Sequence, residues 1–301
     1  MTTTKGNPRY SSVGTRPVRH DGYDKVTGKA LYGADVELPG LIHGKVLRSP
    51  HAHARIISID ISEAVKVPEV QAIITNQNFP AHKDEAVSET PGPAINLKQQ
   101  TANILAGDKA LYKGHAIAAV AASSLHAAEE ALALINVKYE VLPHASTVEE
   151  AIQKDAPLLH EQYQNNIASH DVLELGDVEA GFAQADLIVE REFRTSTVHQ
   201  GYIEPHSATG WWTPNNKISI WGSSQGHFQI RDRTSLVLGV PVSDIKVIPM
   251  EIGGGFGGKT TIYLEPIAAL LSKMTGHPVK ITMSRSEVLE ATGPTSGSYM
   301  R

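Results

Sequence analysis

Gly253-Gly254-Gly255-Phe256-Gly257-Gly258-Lys259-Thr260 is the stretch on which the fold of this chain turns. The apolar run 244–250 ahead of it reads as a strand, the periodic run 262–274 behind it as a helix, and 279–283 as a further strand. Strand, glycine loop and helix in that order make one α/β unit. Glycines let a backbone approach a ligand closely, and N–H groups ahead of a helix can bind phosphate. The stretch satisfies G-x-x-x-x-G-K-[ST], the phosphate loop of nucleotide hydrolases, with Lys259 and Thr260 on phosphate and magnesium. It also satisfies the dinucleotide fingerprint G-x-G-x-x-G. Five glycines in six positions meet such short patterns easily. The context opposes both: too little chain follows Thr260 for a magnesium-binding strand, and Ser284-Arg285 stand where a dinucleotide fold places an acid. Phe256 is different. An aromatic among glycines has no local backbone reason and points to packing on a ligand or partner segment.

Working outward, the 301 residues are 41% hydrophobic and 20% charged, which predicts two globular domains. Lys and Arg number 27 against 32 Asp and Glu, a formal net charge of -5, and no basic tract marks a nucleic-acid or anionic-membrane partner. The chain has no cysteine. That excludes a disulfide scaffold, a Cys-ligated iron–sulfur cluster or zinc ribbon, and a thiol nucleophile. No apolar run approaches the roughly 20 residues that span a bilayer. Met1 to Tyr10 is polar without an apolar core, so no signal peptide is predicted and the cytoplasm is the expected location.

Along the chain, 1–19 reads as an N-terminal arm, 20–150 as a first domain, and 165–301 as a second, with the boundary in the polar segment 155–170. In the first, strands are predicted at 41–47, 54–61, 70–75, 116–122 and 137–141. Ile57, Ile59 and Ile61 recur at spacing two. The stretch 79–100, with Pro80, Pro91, Gly92 and Pro93, reads as loop. Ser123 or Ser124 caps a helix with Leu125, Ala128, Leu132 and Ile135 on its apolar face, which leaves Glu129 and Glu130 to solvent. Thr147 and Glu150 form a capping box. The second domain has a helix at 178–185, strands at 187–193 and 218–222, and a helix at 229–238 stopped by Gly239 and Pro241. No internal repeat is present.

Four stretches together resemble the molybdenum hydroxylases, the group of xanthine dehydrogenase, aldehyde oxidase and aerobic carbon monoxide dehydrogenase. They are residues 21–30 (DGYDKVTGKA), residues 48–56 (RSPHAHARI), Ser223-Ser224-Gln225-Gly226, and residues 253–259. The resemblance runs over nearly the whole chain. It implies an α+β fold: the family's α/β hammerhead domain, then the beginning of the molybdopterin-binding domain of its large subunit. It further implies that Gly254, Gly255, Phe256 and Gly257 approach the pterin and the apical face of the metal. Gln225 matches the glutamine whose amide hydrogen-bonds the apical molybdenum oxygen. Protein atoms do not ligate the metal in this family, because the dithiolene sulfurs of the pterin do, so the missing cysteines are no objection. At Thr260 the purine-oxidising relatives carry a substrate-binding glutamate, and a neutral hydroxyl there argues against xanthine.

The resemblance implies a catalytic glutamate base beyond Arg301, so this chain holds no catalytic residue and is expected to be a fragment or one half of a split subunit, inactive alone. Met1 directly precedes the hammerhead signature. Iron–sulfur and FAD modules are therefore expected on separate partner subunits, the bacterial arrangement, with the pterin as its cytosine dinucleotide. A non-catalytic assembly subunit is the alternative from another class.

Three other groupings receive plainer readings. His51 and His53 lack a third ligand nearby and are expected to be structural. His199, Glu204 and His206 could pose as a metal triad, but Pro205 and Trp211-Trp212 suggest a turn into a buried strand. Lys259, near a helix start, is expected to face solvent or a cofactor phosphate.

Overall fold

The computed structural model describes residues 11–84, 86–87 and 95–301; the first ten residues of the expected arm and part of the 79–100 stretch lie outside them. The first half supplies β1 (Ile42–Arg48), β2 (Ala54–Asp60), β3 (Val70–Thr75), α1 (Leu97–Ile104), β4 (Ala116–Ala122), α2 (Leu125–Leu134) and β5 (Asn136–Val141). The second supplies β6 (Ser207–Trp212), β7 (Ile218–Gly222), α3 (His227–Leu238), β8 (Ile245–Pro249), α4 (Glu265–Thr275), β9 (Val279–Thr282) and α5 (Arg285–Ala291). The fold is α+β, as the resemblance implied.

Seven of these strands form one mixed sheet in the order β8-β7-β6-β9-β1-β4-β3. The two halves of the chain meet in its middle, where β1 runs parallel to β9 with Ile42 opposite Val279. The sheet therefore draws strands from both sides of the segment 155–170. Its apolar core is equally shared: Ile42, Val46 and Ile74 pack in one cluster with Ile220, Ile267, Leu271 and Ile281. Each such buried aliphatic side chain contributes roughly 1.5–3 kcal/mol. In β4, Ala-Ile-Ala-Ala-Val-Ala-Ala is buried throughout, because α2 covers one face and the main core the other. A second sheet joins β2 to β5 and to Lys109–Ala110.

Several expectations shift, each for a physical reason. Ile57 is half exposed because a bulge between Ile56 and Ser58 flips the alternation, so Ile56 and Ile59 face inward. On α2, capped by Ser124, the buried stripe is Ala127, Ala128 and Ala131, and Leu125 is exposed; the small residues let the helix sit close on β1 and β4. Helix α1 starts inside the expected loop, with the Asn96 side chain accepting from Gln99 N. The strand expected at 187–193 is absent apart from Phe193, which opens Phe193–Thr195 against Ser298–Met300. Leu187, Ile188 and Val189 find no neighbouring edge among the described residues and stay exposed. Helix α4 begins at Glu265, not 262, because Pro266 lacks the N–H a helix interior requires and fits only the first turn.

Candidate functional site

The glycine loop leaves the end of β8 and returns to α4, and the strand end after β7 lies beside it with Gln225. Gly254 and Gly257 sit at φ +101° and +90°, in the left-handed region that glycine tolerates. Phe256 between them also has positive φ, +50°, and is 76% exposed. A phenylalanine in that conformation costs of order 1 kcal/mol, and the loop holds it there by closing a turn. Gly258 N donates to Gly255 O at 2.8 Å, and the Thr260 hydroxyl donates to Gly257 O at 3.0 Å.

Gln225 is bound into this loop. Its Oε1 accepts from Gly257 N at 3.0 Å and from Lys259 N at 3.2 Å. Its own backbone N–H donates to Lys259 O at 2.8 Å. With the oxygen committed to two N–H donors, the Nε2 end of this exposed side chain is left without a hydrogen-bond partner among the described residues. Gly255 makes this approach possible: a Cβ there would lie 2.5 Å from Gln225 Oε1. An unpartnered N–H donor, an exposed ring and open space at Gly257 for an added Cβ leave this side of the loop able to receive a ligand.

Beneath the loop the structure differs from expectation. Lys259 is not solvent-exposed: its side chain is fully buried, with Nζ 2.7 Å from Glu204 Oε2 and 4.9 Å from the centre of the Tyr202 ring. Burial pulls its pKa down, and the Glu204 carboxylate opposes that shift. The same Glu204 Oε2 accepts from Gly253 N at 2.6 Å. A phosphate-loop lysine must reach into the ligand space, and a phosphate loop must run directly into its helix. Here the lysine points inward and Thr261 to Leu264 separate the loop from α4. The phosphate-loop reading is thereby set aside.

The posed triad separates. Glu204 is engaged by Lys259 and Gly253, and His199 Nε2 bonds the Thr292 hydroxyl at 2.8 Å. His206 is buried between the edges of Tyr202 and Tyr263, with its pKa pushed down to about 3 by burial and then by the Lys259 charge. Among the described residues no group of three His, Cys, Asp or Glu is placed to hold a metal. His53 Nδ1 bonds Pro143 O at 2.8 Å and His51 packs edge-on to Tyr139, both structural contacts. Glu129 and Glu130 are exposed, Glu129 pairing with Lys45 at 3.1 Å.

A mixed sheet whose glycine loop presents a backbone-locked glutamine amide has clear relatives. The family described as the aldehyde oxidase and xanthine dehydrogenase a/b hammerhead domain matches residues 27–143, and the molybdopterin cofactor-binding domain matches 159–301. The chain belongs to the molybdenum hydroxylase family, matching its large, molybdopterin-binding subunit. It is 32% identical over 278 residues to the nicotinate dehydrogenase large molybdopterin subunit of Eubacterium barkeri, covering 92% of this chain and 63% of that protein. It is also 32% identical over 282 residues to the xanthine dehydrogenase molybdenum-binding subunit of Escherichia coli O157:H7, covering 91% and 36%. Among solved structures, quinoline 2-oxidoreductase from Pseudomonas putida 86 superposes with a TM-score of 0.79 at 28% identity, covering 91% of this chain and 35% of the other. The chain thus spans between about a third and two thirds of the length of these relatives. Among the described residues no helix is long and apolar enough to cross a membrane.

The residue order marks Gln225 and the loop but not their support. Glu204 reads there only as a metal ligand, and Tyr202 carries no reading at all. Tyr202-Ile203-Glu204-Pro205 holds one usable signal: an acid directly ahead of a strand that buries nearly every side chain.

Proposed function

We propose that this chain forms one wall of the molybdenum–pterin site of an oxidoreductase that oxidises a small aldehyde or N-heterocycle, with water as the oxygen source. The supporting observation is the exposed Gln225 amide, whose oxygen is fixed by Gly257 N and Lys259 N while its N–H donors have no partner among the described residues. When bound, the molybdenum–pterin supplies the two-electron redox centre. The chain's residues provide the surroundings. Gln225 Nε2 would donate to an oxygen of the bound centre, and Gly257, with open space where a Cβ would stand, would admit the cofactor close to its backbone. Gly254 and Gly255 would shape the loop beneath it by packing on Tyr202 and Gln225, and the exposed Phe256 ring would pack against it. Thr260 in place of an acid, with its hydroxyl spent on Gly257 O, favours a substrate other than xanthine.

In the same proposal the proton-abstracting glutamate is not among these residues, so the chain alone is inactive. The pterin is the cytosine dinucleotide. Iron–sulfur and FAD subunits carry the electrons onward, residues 20–150 and 165–301 are the two functional domains, and the complex is cytoplasmic. The test is metal and pterin analysis of the native complex purified through this chain. About one molybdenum per chain, with fluorescent oxidised pterin and released CMP, is expected. A complex that turns over without molybdenum would overturn the proposal and favour an assembly role.

A further inference from the structure

An ion pair buried as deeply as Glu204–Lys259 needs a reason, because a pair of well-packed apolar residues would stabilise the core as well or better. The side chains are 9% and 0% exposed, and Glu204 Oε1 is left buried without a partner among the described residues. All the bonding falls on Oε2, which receives Gly253 N and Lys259 Nζ together. Gly253 and Lys259 are the two ends of the glycine loop. One carboxylate oxygen therefore ties both ends to the same point.

The tie continues outward through Lys259. Its side chain is pulled inward to Glu204, across the face of Tyr202, while its backbone N–H and C=O both hold Gln225. Tyr202 is the floor on which the loop rests: a Cβ at Gly258 would lie 2.8 Å from its ring, and one at Gly254 3.1 Å from its Cβ. Fixing Nζ fixes the backbone of Lys259, and that backbone orients the Gln225 amide.

We propose that Glu204 and Lys259 are positioning residues. Their buried ion pair closes the neck of the glycine loop and, through the Lys259 backbone, holds the Gln225 amide oxygen on the loop's N–H groups, which leaves its own N–H donors for a ligand. The device rests on the reading of this loop as the pterin-facing one, but its geometry exists in the chain without the cofactor. Removing the pair frees the loop before it disturbs the sheet.

The experiment is amide hydrogen exchange of the 301-residue chain, read on peptides covering 253–260 and, as internal control, β4. The variants are Glu204→Gln, which strips the charge partner from a buried lysine, and the double change Glu204→Met with Lys259→Met, which replaces the pair by apolar side chains. In the double variant the expected result is exchange about tenfold or more faster at Gly257 and at position 259, unchanged exchange in β4, and a melting temperature within roughly 5 °C of the parent. In the assembled complex the same variant is expected to lose pterin fluorescence. Unchanged loop protection in the double variant would overturn the proposal. So would a general loss of protection that includes β4, because the pair would then be a prop of the core. A parent complex without pterin would sink the functional reading alone, leaving the exchange result to judge the tie.

Discussion

Lys259 grips Gln225 twice: its N–H donates to Gln225 Oε1 at 3.2 Å, and its carbonyl accepts from Gln225 N at 2.8 Å. One bond holds the Gln225 side chain and the other its backbone, and Gly257 N supplies a second donor to the same amide oxygen at 3.0 Å. Turning the Gln225 amide over would set its NH2 against those two N–H donors, which favours the orientation seen.

Replacing Gln225 by alanine removes the unpartnered donor and leaves Gly257 N and Lys259 N without their acceptor. Turnover in the assembled complex is expected to fall about 100- to 1,000-fold, mostly in kcat, as when a single preorganised donor is lost from a reacting centre. The chain itself should lose about 1–3 kcal/mol, the cost of leaving the N–H of buried Lys259 without its acceptor. Steady-state kinetics beside urea unfolding separates the two. Unchanged turnover would remove Gln225 from the site.

Gly255→Ala tests the same contact from the other side. The new methyl would stand 2.5 Å from Gln225 Oε1 and 2.7 Å from its Cδ, so the glutamine amide has to swing away. A cost of about 1–3 kcal/mol is expected from the forced contact, together with lower pterin content in the purified complex. Full pterin occupancy in this variant would show that the amide need not stand where it does.

Phe256→Ala should divide stability from binding. The residue is mostly exposed, so the chain's unfolding free energy is expected to change by less than about 0.5 kcal/mol. Cofactor retention through gel filtration should drop, because the ring proposed to pack on it is gone. A destabilised chain with full retention would reverse the assignment of the ring.

Acid should weaken the fold through two buried histidines. Burial holds His206 down to about 3 and His115 down to about 4, the latter with Nδ1 accepting from Leu111 N and Nε2–H donating to Ala102 O. Both are neutral when folded and take up protons at an ordinary pKa near 6.5 when unfolded. The unfolded state therefore binds more protons below pH 6.5. Stability falls as pH drops from there toward 4, and for His206 toward 3, by up to about 1.4 kcal/mol per pH unit for each histidine. Urea midpoints at pH 7 and 5, with His115→Gln and His206→Gln, should show the slope shrink in each variant. A slope unaltered by both would assign the acid response elsewhere.

Much of this architecture is legible in the residue order because the signals are local. Apolar runs mark β1, β3, β4 and β9, and Gly239 marks the end of α3 through its left-handed cap. Glycines flanking a phenylalanine, with Gln225 upstream, mark the loop. The unreadable parts are non-local. Whether 187–193 becomes a strand depends on a neighbouring edge, and its own valine and isoleucine cannot supply one. Whether Lys259 faces water depends on Glu204, a residue distant in sequence that meets it only once β6 and the loop are packed together. The bulge that turns Ile57 outward is set by pairing with β5, which periodicity in β2 alone cannot report.

The parallel seam between β1 and β9 has a consequence for how the chain comes into being. β1 is synthesised long before β9, yet each is the other's neighbour in the middle of the sheet. Until residues 279–282 have left the ribosome, β1 carries a bare edge of unpaired N–H and C=O groups, with antiparallel β4 its companion on the other side. Such an edge invites pairing with other chains. Maturation is therefore a race between delivering β9 and aggregating, and slowing elongation before codon 279 should lower the soluble yield more than slowing it afterwards.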